Sequence, residues 1–222
     1  MTRVRMSLFA SLDGFTAAPG ESSDNPMGED WAALTAAYAA TRTFRRNVLG
    51  DDSGTGTTGI DDEVAAAFFA GVDAEIMGAA MFCLHAHPDD PDWRGWWGDR
   101  PPFGHPVFVL THAAPRPSIA MDGGTVFRFR SGPIEEVLAE ATQAAEAAGG
   151  GDVRIGGGIR TARAFLQAGL VDELHVAIAP IVLGRGHRVW EGLRGLERTH
   201  DVRSRVSESG TVHVEFTRER ER

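Results

Sequence analysis

The sequence predicts an α/β fold: a mostly parallel sheet with helices on both faces and an antiparallel pair of strands at the C-terminal end. Three observations carry this. Short apolar runs alternate with stretches of helical periodicity along the chain. A strand, a helix and a strand follow one another within about thirty residues, over 152–180, the span of a right-handed parallel crossover. Two β-patterned runs, residues 202–207 and 211–217, flank Ser209-Gly210 and read as a hairpin. With 222 residues the chain can bury one large core, so a single domain over residues 1–222 is expected, without linker or internal repeat.

Each element has its own signal. Residues 4–12 form an apolar first strand that stops at the turn Asp13-Gly14. Residues 16–28 are a loop. A helix is expected over 30–48, with Leu34, Ala37, Tyr38, Thr41 and Phe44 on one stripe. The Gly-rich run 50–59 reads as a mobile surface loop, because it lacks the Gly-Lys-Ser/Thr ending that holds a nucleotide phosphate. Asp61 or Asp62 then caps a short helix bearing Val64, Phe68 and Phe69, which Gly71 ends.

A short strand covers 74–77, and Gly78 opens a helical turn. Residues 86–106 are a long surface excursion holding Trp93, Trp96 and Trp97, whereas 107–111 are almost purely apolar, as in an interior parallel strand. Residues 125–130 alternate, leaving Arg128 and Arg130 for solvent or ligand. In the next helix Ser131 is the expected N-cap, Pro133 suits the first turn, and Glu135 and Glu136 favour the dipole; Gly149-Gly150-Gly151 ends it. The strand 152–155 runs straight into Gly156-Gly157-Gly158. Ile159, Ala162, Phe165 and Leu166 mark the following helix, Gly169 stops it, and 172–180 is the next strand.

Composition excludes several function classes. A net charge of −9 disfavours nucleic-acid binding, which needs a basic footprint. No apolar run approaches the roughly 18 residues of a bilayer span, and the first residues lack a secretory pattern, so a cytoplasmic location is expected. The one cysteine, Cys83, excludes an internal disulfide; its apolar neighbours suggest a buried, inert thiol. His85, His87, Asp89 and Asp90 match no strong metal spacing, and no metal site is expected. The three tryptophans fit a lid over a planar substrate, a dimer contact or loop packing.

The glycine turn carries the strongest chemistry. Backbone N–H groups at a helix N-terminus lack intrahelical partners, and the helix dipole makes that end positive. Glycine lets a pyrophosphate approach those donors. Gly156-Gly157-Gly158 follows a strand and opens a helix, at the strand end where ligands of open α/β sheets bind. Arg160 and Thr161 add a charge and a hydroxyl. On its own the turn equally suits a tight strand-to-helix connection, and it is not Gly-x-Gly-x-x-Gly.

The block from Ile155 to Gly186 is more specific. Its order is Gly156-Gly157-Gly158, helix, Ala168-Gly169-Leu170-Val171-Asp172-Glu173-Leu174, strand, Pro180, then Leu183-Gly184-Arg185-Gly186. It resembles the dihydrofolate reductase-like family, nearest to the C-terminal reductase domain of the bifunctional riboflavin-biosynthesis deaminase-reductase. Ser11-Leu12-Asp13-Gly14-Phe15 and Ile76-Met77-Gly78 with Met81-Phe82 fall in the expected order. The resemblance covers about residues 3–217, without the zinc deaminase partner. It implies a dihydrofolate reductase-like three-layer fold, NADPH as hydride donor, a small heterocyclic substrate of the pyrimidine or pterin kind, and a homodimer.

Carried over by position, Gly78, Ala79, Met81 and Phe82, with Gly156, Gly157, Gly158, Ile159, Arg160 and Thr161, flank the cofactor phosphates. Thr111 and His112 lie on the adenosine side. Leu12, Asp13 and Gly14 approach the nicotinamide. The resemblance also implies a cis peptide at Gly156-Gly157. Where the family often has an arginine after its Gly78 equivalent, this chain has Ala79 and Ala80. That loss weakens the preference for NADPH over NADH, unless Arg116, Arg128 or Arg160 compensates. Asp30, Glu29 or Asp24 would orient a substrate ring, with Asp30 the chosen residue, or would cap a helix. Asp13 is the candidate proton donor; its alternative is an Asp-Gly turn residue. Two functions follow: a nicotinamide-dependent reductase, or a nucleotide-binding protein that kept the fold and lost catalysis.

Overall fold

In the computed structural model of the protein, residues 2–16, 22, 25–113 and 116–218 are described. In chain order the elements are β1 (Val4–Ser11), β2 (Phe15–Thr16), α1 (Trp31–Leu34), α2 (Ala36–Ala39), α3 (Arg42–Leu49), α4 (Ile60–Phe69), β3 (Val72–Gly78), β4 (Pro106–Leu110), β5 (Ile119–Ala120) and β6 (Val126–Arg130). Then come α5 (Ile134–Ala148), β7 (Asp152–Gly157), α6 (Ile159–Gln167), β8 (Glu173–Ala179), β9 (His187–Arg188), β10 (His200–Val206) and β11 (Val212–Arg218). Among the described residues no helix is long and apolar enough to cross a membrane. Asp24 lies outside the described residues.

The chain's contacts gather into two compact units where the sequence suggested one domain. The first comprises Met1–Met6, Glu21–Met27 and Gly71–Val171; the second comprises Ser7–Gly20, Gly28–Ala70 and Asp172–Arg222. No linker marks the passage: β1 begins in the first unit and ends in the second.

In the first unit the strands run in the order β1-β7-β3-β4-β6-β5. All neighbours are parallel except the short β5, which is antiparallel to β6. The register sets two faces. Met77, Val107, Val109, Phe127 and Phe129 form one apolar cluster with Phe82. The other face carries Ile76, Phe108 and Ile155, which are aligned across β3, β4 and β7. Helix α5 packs on β3, β4 and β7 through buried Val137, Ala141 and Ala145. Arg130 ties β6 to it through Glu140, at 2.7 Å.

In the second unit the order is β10-β11-β8-β1. The hairpin pairs Val206 with Val212 and His200 with Arg218, and β11 also runs antiparallel to β8. β2 and β9 form a separate two-stranded ribbon, unseen in the sequence because each strand has two residues. Phe9 on β1 meets Trp31 and Tyr38, each with ring centroids 5.4 Å apart.

Several local expectations change. The helix expected over 30–48 is three short helices. Thr35 and Thr41 donate their hydroxyls to the carbonyls of Trp31 and Tyr38, and Thr41 in extended backbone accepts from the Phe44 N–H, capping α3. Thr41 therefore ends one helix and starts another instead of joining the apolar stripe. Helix α5 starts after Pro133, with no side-chain cap from Ser131. Helix α4 is preceded by Gly59, so neither Asp61 nor Asp62 is its cap: Asp62 accepts the Thr43 N–H and Asp61 is buried against His213. The 50–59 loop is latched: Arg42 donates to Thr57, Thr57 to Ala40, and Arg45 pairs with Asp51. β7 extends through Gly157, and β8, reached through α6, pairs with β1 and β11 rather than with β7.

Candidate active site

The glycine turn sits at the carboxyl end of β7, and its three glycines answer to three different constraints. Gly156 carries no unusual backbone. A Cβ there would lie 2.6 Å from the carboxyl carbon of Glu75, and closer still to Oε1. Gly157 and Gly158 have φ of 142° and 77°, values that L side chains rarely adopt. They turn the chain from β7 into α6 with every described peptide trans, which corrects the expected cis bond at Gly156-Gly157. Two successive positive-φ glycines supply the reversal. No side chain caps α6, so its first N–H groups remain available.

Beneath Gly156 lies a buried ionic cluster that sequence reasoning missed. Glu75 and Arg154 are register partners on β3 and β7, and both are buried. Arg154 grips Glu75 Oε2 through Nε at 2.9 Å and through its terminal nitrogen. His105 Nε2 stands 3.7 Å from the same oxygen. Burial pushes the Glu75 carboxyl up, but Arg154 and His105 outweigh it and hold the group below its ordinary range. The signal was present: two opposite charges stand between apolar neighbours, Glu75 between Ala74 and Ile76 and Arg154 between Val153 and Ile155.

The second turn follows Gly78 at the end of adjacent β3. A Cβ on Gly78 would come 2.5 Å from Thr161 Oγ1, and one on Gly158 would lie 3.7 Å from Gly78 Cα. Both turns therefore pack backbone to backbone, with Met81 against Gly157. The indole N–H groups of Trp93 and Trp96 donate to the carbonyls of Phe82 and Met81, at 2.9 and 2.8 Å. Trp97 stacks on Phe127. Of the three roles considered for these tryptophans, the contacts show loop packing. Phe82 is buried in the core, so only its backbone faces the turn. Cys83 is buried beside it. The N–H groups of Ala80 and Met81 have no partner among the described residues.

Thr111 follows β4 directly; its hydroxyl accepts the Ala113 N–H, and His112 beside it is exposed. Of the three arginines considered, Arg128 lies over the Phe108 ring, and Arg116 lies over Phe129 and donates to the Asp90 carbonyl. Arg160 is exposed in the first turn of α6 and has no side-chain partner among the described residues. His87 stacks on Trp93 at 3.7 Å instead of joining His85 in a ligand set.

The second unit holds Leu12, Asp13, Gly14 and Asp30. Leu12 is exposed and donates its N–H to Ile181. Asp13 accepts from Ser11 Oγ at 2.6 Å and from the Leu183 and Gly184 N–H groups at 3.1 and 2.7 Å. The Ser11 bond foremost, with these backbone bonds, holds its carboxyl near 2 against an ordinary 3.8. A carboxylate so stabilised is a clamp on the 183–184 loop and a poor proton donor at neutral pH. Asp30 binds the next residue of the same loop, Arg185, through two bonds of 3.0 and 3.2 Å, and Glu29 joins it at 2.9 Å. Both carboxylates chosen from the sequence thus converge on 183–185.

The same unit contains a pocket walled by Phe9, Leu34, Tyr38, Val64 and Phe68. Its polar side is a chain of buried groups: Asp61 Oδ1 to His213 Nε2 at 2.8 Å, then His213 Nδ1 to His175 Nε2 at 3.0 Å. Burial, the neighbouring His213 and the charge of Arg205 together lower His175 to about 3, so its imidazole is neutral at pH 7. No local motif announces this chain, whose members come from α4, β8 and β11.

Adjacent parallel strands ending in two glycine turns, with an antiparallel C-terminal hairpin, define an α/β protein of dihydrofolate reductase-like fold. The chain belongs to the RibD C-terminal domain family, whose model matches residues 2–213, and the membership makes it an enzyme of the reductase class. A protein from Shewanella sp. PV-4 assigned to riboflavin biosynthesis aligns at 19% identity and TM-score 0.57, covering 99% of this chain and 100% of the other. The diaminohydroxyphosphoribosylaminopyrimidine deaminase/5-amino-6-(5-phosphoribosylamino)uracil reductase of Thermotoga maritima aligns at 13% and 0.55, covering 98% of this chain and 57% of that one. Dihydrofolate reductase from Enterococcus faecalis, complexed with NADP(H), aligns at 11% and 0.50, covering 98% and 97%. No curated protein matches the chain.

Proposed function

We propose that the protein is an NADPH-dependent reductase acting on a small heterocycle of the pyrimidine or pterin kind. One observation carries it: in the first unit, two glycine turns pack together at the carboxyl ends of adjacent parallel strands, with helix N–H groups uncapped and Arg160 without a side-chain partner among the described residues. The residues fit a dinucleotide phosphate. Gly157, Gly158, Ile159, Arg160 and Thr161 would hold it from one side, and Gly78, Ala79, Met81 and the Phe82 backbone from the other. Gly156 serves by making room for Glu75. Thr111 and His112 would take the adenosine side, and by the family resemblance Leu12 and Gly14 would meet the nicotinamide. When bound, the cofactor supplies the hydride. Arg160 takes the role of the arginine missing at Ala79, which favours NADPH, with NADH as the weaker donor. The pocket of Phe9 and Tyr38 would receive the heterocycle; Phe9 precedes Leu12 by three residues, about 10 Å along a strand. A homodimer is part of the proposal.

A second reading, dinucleotide binding without turnover, draws on the state of the two chosen carboxylates: Asp13 is held ionised and Asp30 is occupied by an ion pair with Arg185. The test is a fluorescence titration with NADPH and NADH, followed by nicotinamide oxidation across a panel of pyrimidines and pterins. Binding with turnover is expected. Binding without turnover supports the second reading, and failure to bind either dinucleotide refutes both.

A further inference from the structure

The reductase reading leaves open where the proton that accompanies hydride comes from, and the second unit contains an arrangement suited to supply it. Asp61, His213 and His175 are joined head to tail by bonds of 2.8 and 3.0 Å, and all three line the same aromatic-walled pocket. Asp61 and His213 are buried to more than nine-tenths. Asp61 lies in the first turn of α4, where the helix dipole favours a carboxylate. Each link constrains the next. A carboxylate accepts, so His213 carries a proton on Nε2. If His213 is neutral, its Nδ1 must accept, so His175 carries its proton on Nε2 and has a bare Nδ1. If His213 gains a proton, both its nitrogens donate, so His175 must accept at Nε2 and carry its proton on Nδ1. Among the described residues His175 Nδ1 has no partner.

We propose, on the strength of the reductase reading, that Asp61, His213 and His175 are a proton relay and that His175 is the acid that protonates the heterocycle. In the charged state the His175 Nδ1–H bond breaks and the proton joins a ring nitrogen or oxygen of the substrate. His175 Nε2 takes the proton from His213 Nδ1, and His213 returns to its neutral form with Nε2–H on the Asp61 carboxylate. One proton leaves the relay, and water restores it. His175 itself never becomes a cation. That agrees with its lowering to about 3 and with its surroundings: Arg205 of β10 is held by Glu63 of α4 and Glu215 of β11, while β1 and α2 line the pocket with Ser7, Phe9, Ala37 and Tyr38. His213 is the imidazole of the pair that is bonded to a carboxylate, at 2.8 Å.

The experiment uses the full chain labelled with ¹⁵N-histidine. Long-range ¹H–¹⁵N spectra are recorded through a pH titration. The expected result is that His175 stays neutral throughout and moves its proton from Nε2 to Nδ1 as His213 becomes protonated. A His175 ring that carries its proton on Nδ1 while His213 is neutral overturns the relay, and this measurement needs no substitution. Kinetically, His175→Phe is expected to lower kcat with the best heterocycle by at least tenfold, with NADPH affinity unchanged. His213→Leu is expected to lower kcat likewise and to abolish the tautomer exchange. Full turnover in His175→Phe overturns the proton role and leaves the reductase reading standing. Absence of turnover in the wild type overturns both, and the spectra then report on the hydrogen-bond chain by itself.

Discussion

Replacing Gly156 by alanine adds one methyl group at the point where β7 meets the buried carboxylate of β3. The added carbon would stand 2.6 Å from Glu75 Cδ, against the roughly 3.5–4.0 Å of relaxed carbon contact. A shift of about 1 Å is therefore required. The backbone of Gly156 is not in the left-handed region, so an alanine has no conformational objection there. The cost falls on Glu75, which cannot move without leaving Arg154, and both are buried. Disrupting a buried pair costs about 3–5 kcal/mol, a large share of the roughly 5–15 kcal/mol that stabilises a typical domain. The assay is equilibrium urea unfolding followed by tryptophan fluorescence, on Gly156→Ala in two backgrounds. In the native background the loss should be about 3 kcal/mol or more. In a Glu75→Ala/Arg154→Leu background, where the obstacle and its partner are gone, the same substitution should cost under about 1 kcal/mol. An equal loss in both backgrounds, or a native-background loss below about 1 kcal/mol, refutes the argument that Gly156 is glycine on account of Glu75.

Further outcomes follow from the same geometry. Gly78→Ala should destabilise by about 1–3 kcal/mol through its approach to Thr161 Oγ1, and Thr161→Ala should rescue it where Thr161→Ser, which keeps the oxygen, does not; urea midpoints of the four variants decide. Arg160→Ala should weaken NADPH binding by about tenfold or more, the worth of a charge-assisted bond, and should reduce its salt dependence, read by fluorescence titration at two ionic strengths. Asp13 is depressed in the folded protein to about 2, so its stabilisation is fully present above the unfolded value and is lost as pH falls from about 4 through 2. The difference in urea midpoint between wild type and Asp13→Asn should accordingly be constant near neutrality and shrink below pH about 4. Trp96→Phe should cost about 1 kcal/mol by freeing the Met81 carbonyl, and should loosen NADPH binding without changing the fold, as judged by circular dichroism.

What was legible in the sequence was whatever is decided locally. The run 107–110 is apolar at every position because both faces of its strand are covered, and 202–217 alternates around Ser209-Gly210 because a hairpin needs a turn there. The helix expected over 30–48 failed at Thr35 and Thr41. Both fit the periodicity, yet their hydroxyls compete for backbone carbonyls and split the helix. Asp13 and Asp30 were visible as acids at a turn and at a helix start, but the loop that they hold lies about 155–171 positions away at 183–185, so their roles as clamps were not. The Asp61–His213–His175 chain spans separations of 38 and 152 positions and has no spacing to recognise.

The glycine turn shows how the two readings of one motif divide between its residues. Three consecutive glycines after a strand suggested two causes, the approach of a phosphate or a tight strand-to-helix connection. The structure assigns Gly156 to the space beside Glu75, and Gly157 and Gly158 to positive φ. None of the three needs a ligand to explain its lack of a side chain. What points to an anion is the consequence of that packing: α6 starts without a capping side chain, its first N–H groups open beside Gly78, and Arg160 stands unpaired among the described residues. Packing and binding are therefore separable by mutation. Arg160→Ala should lower dinucleotide affinity at full stability, whereas Gly156→Ala should lower stability through a carboxylate that touches no phosphate.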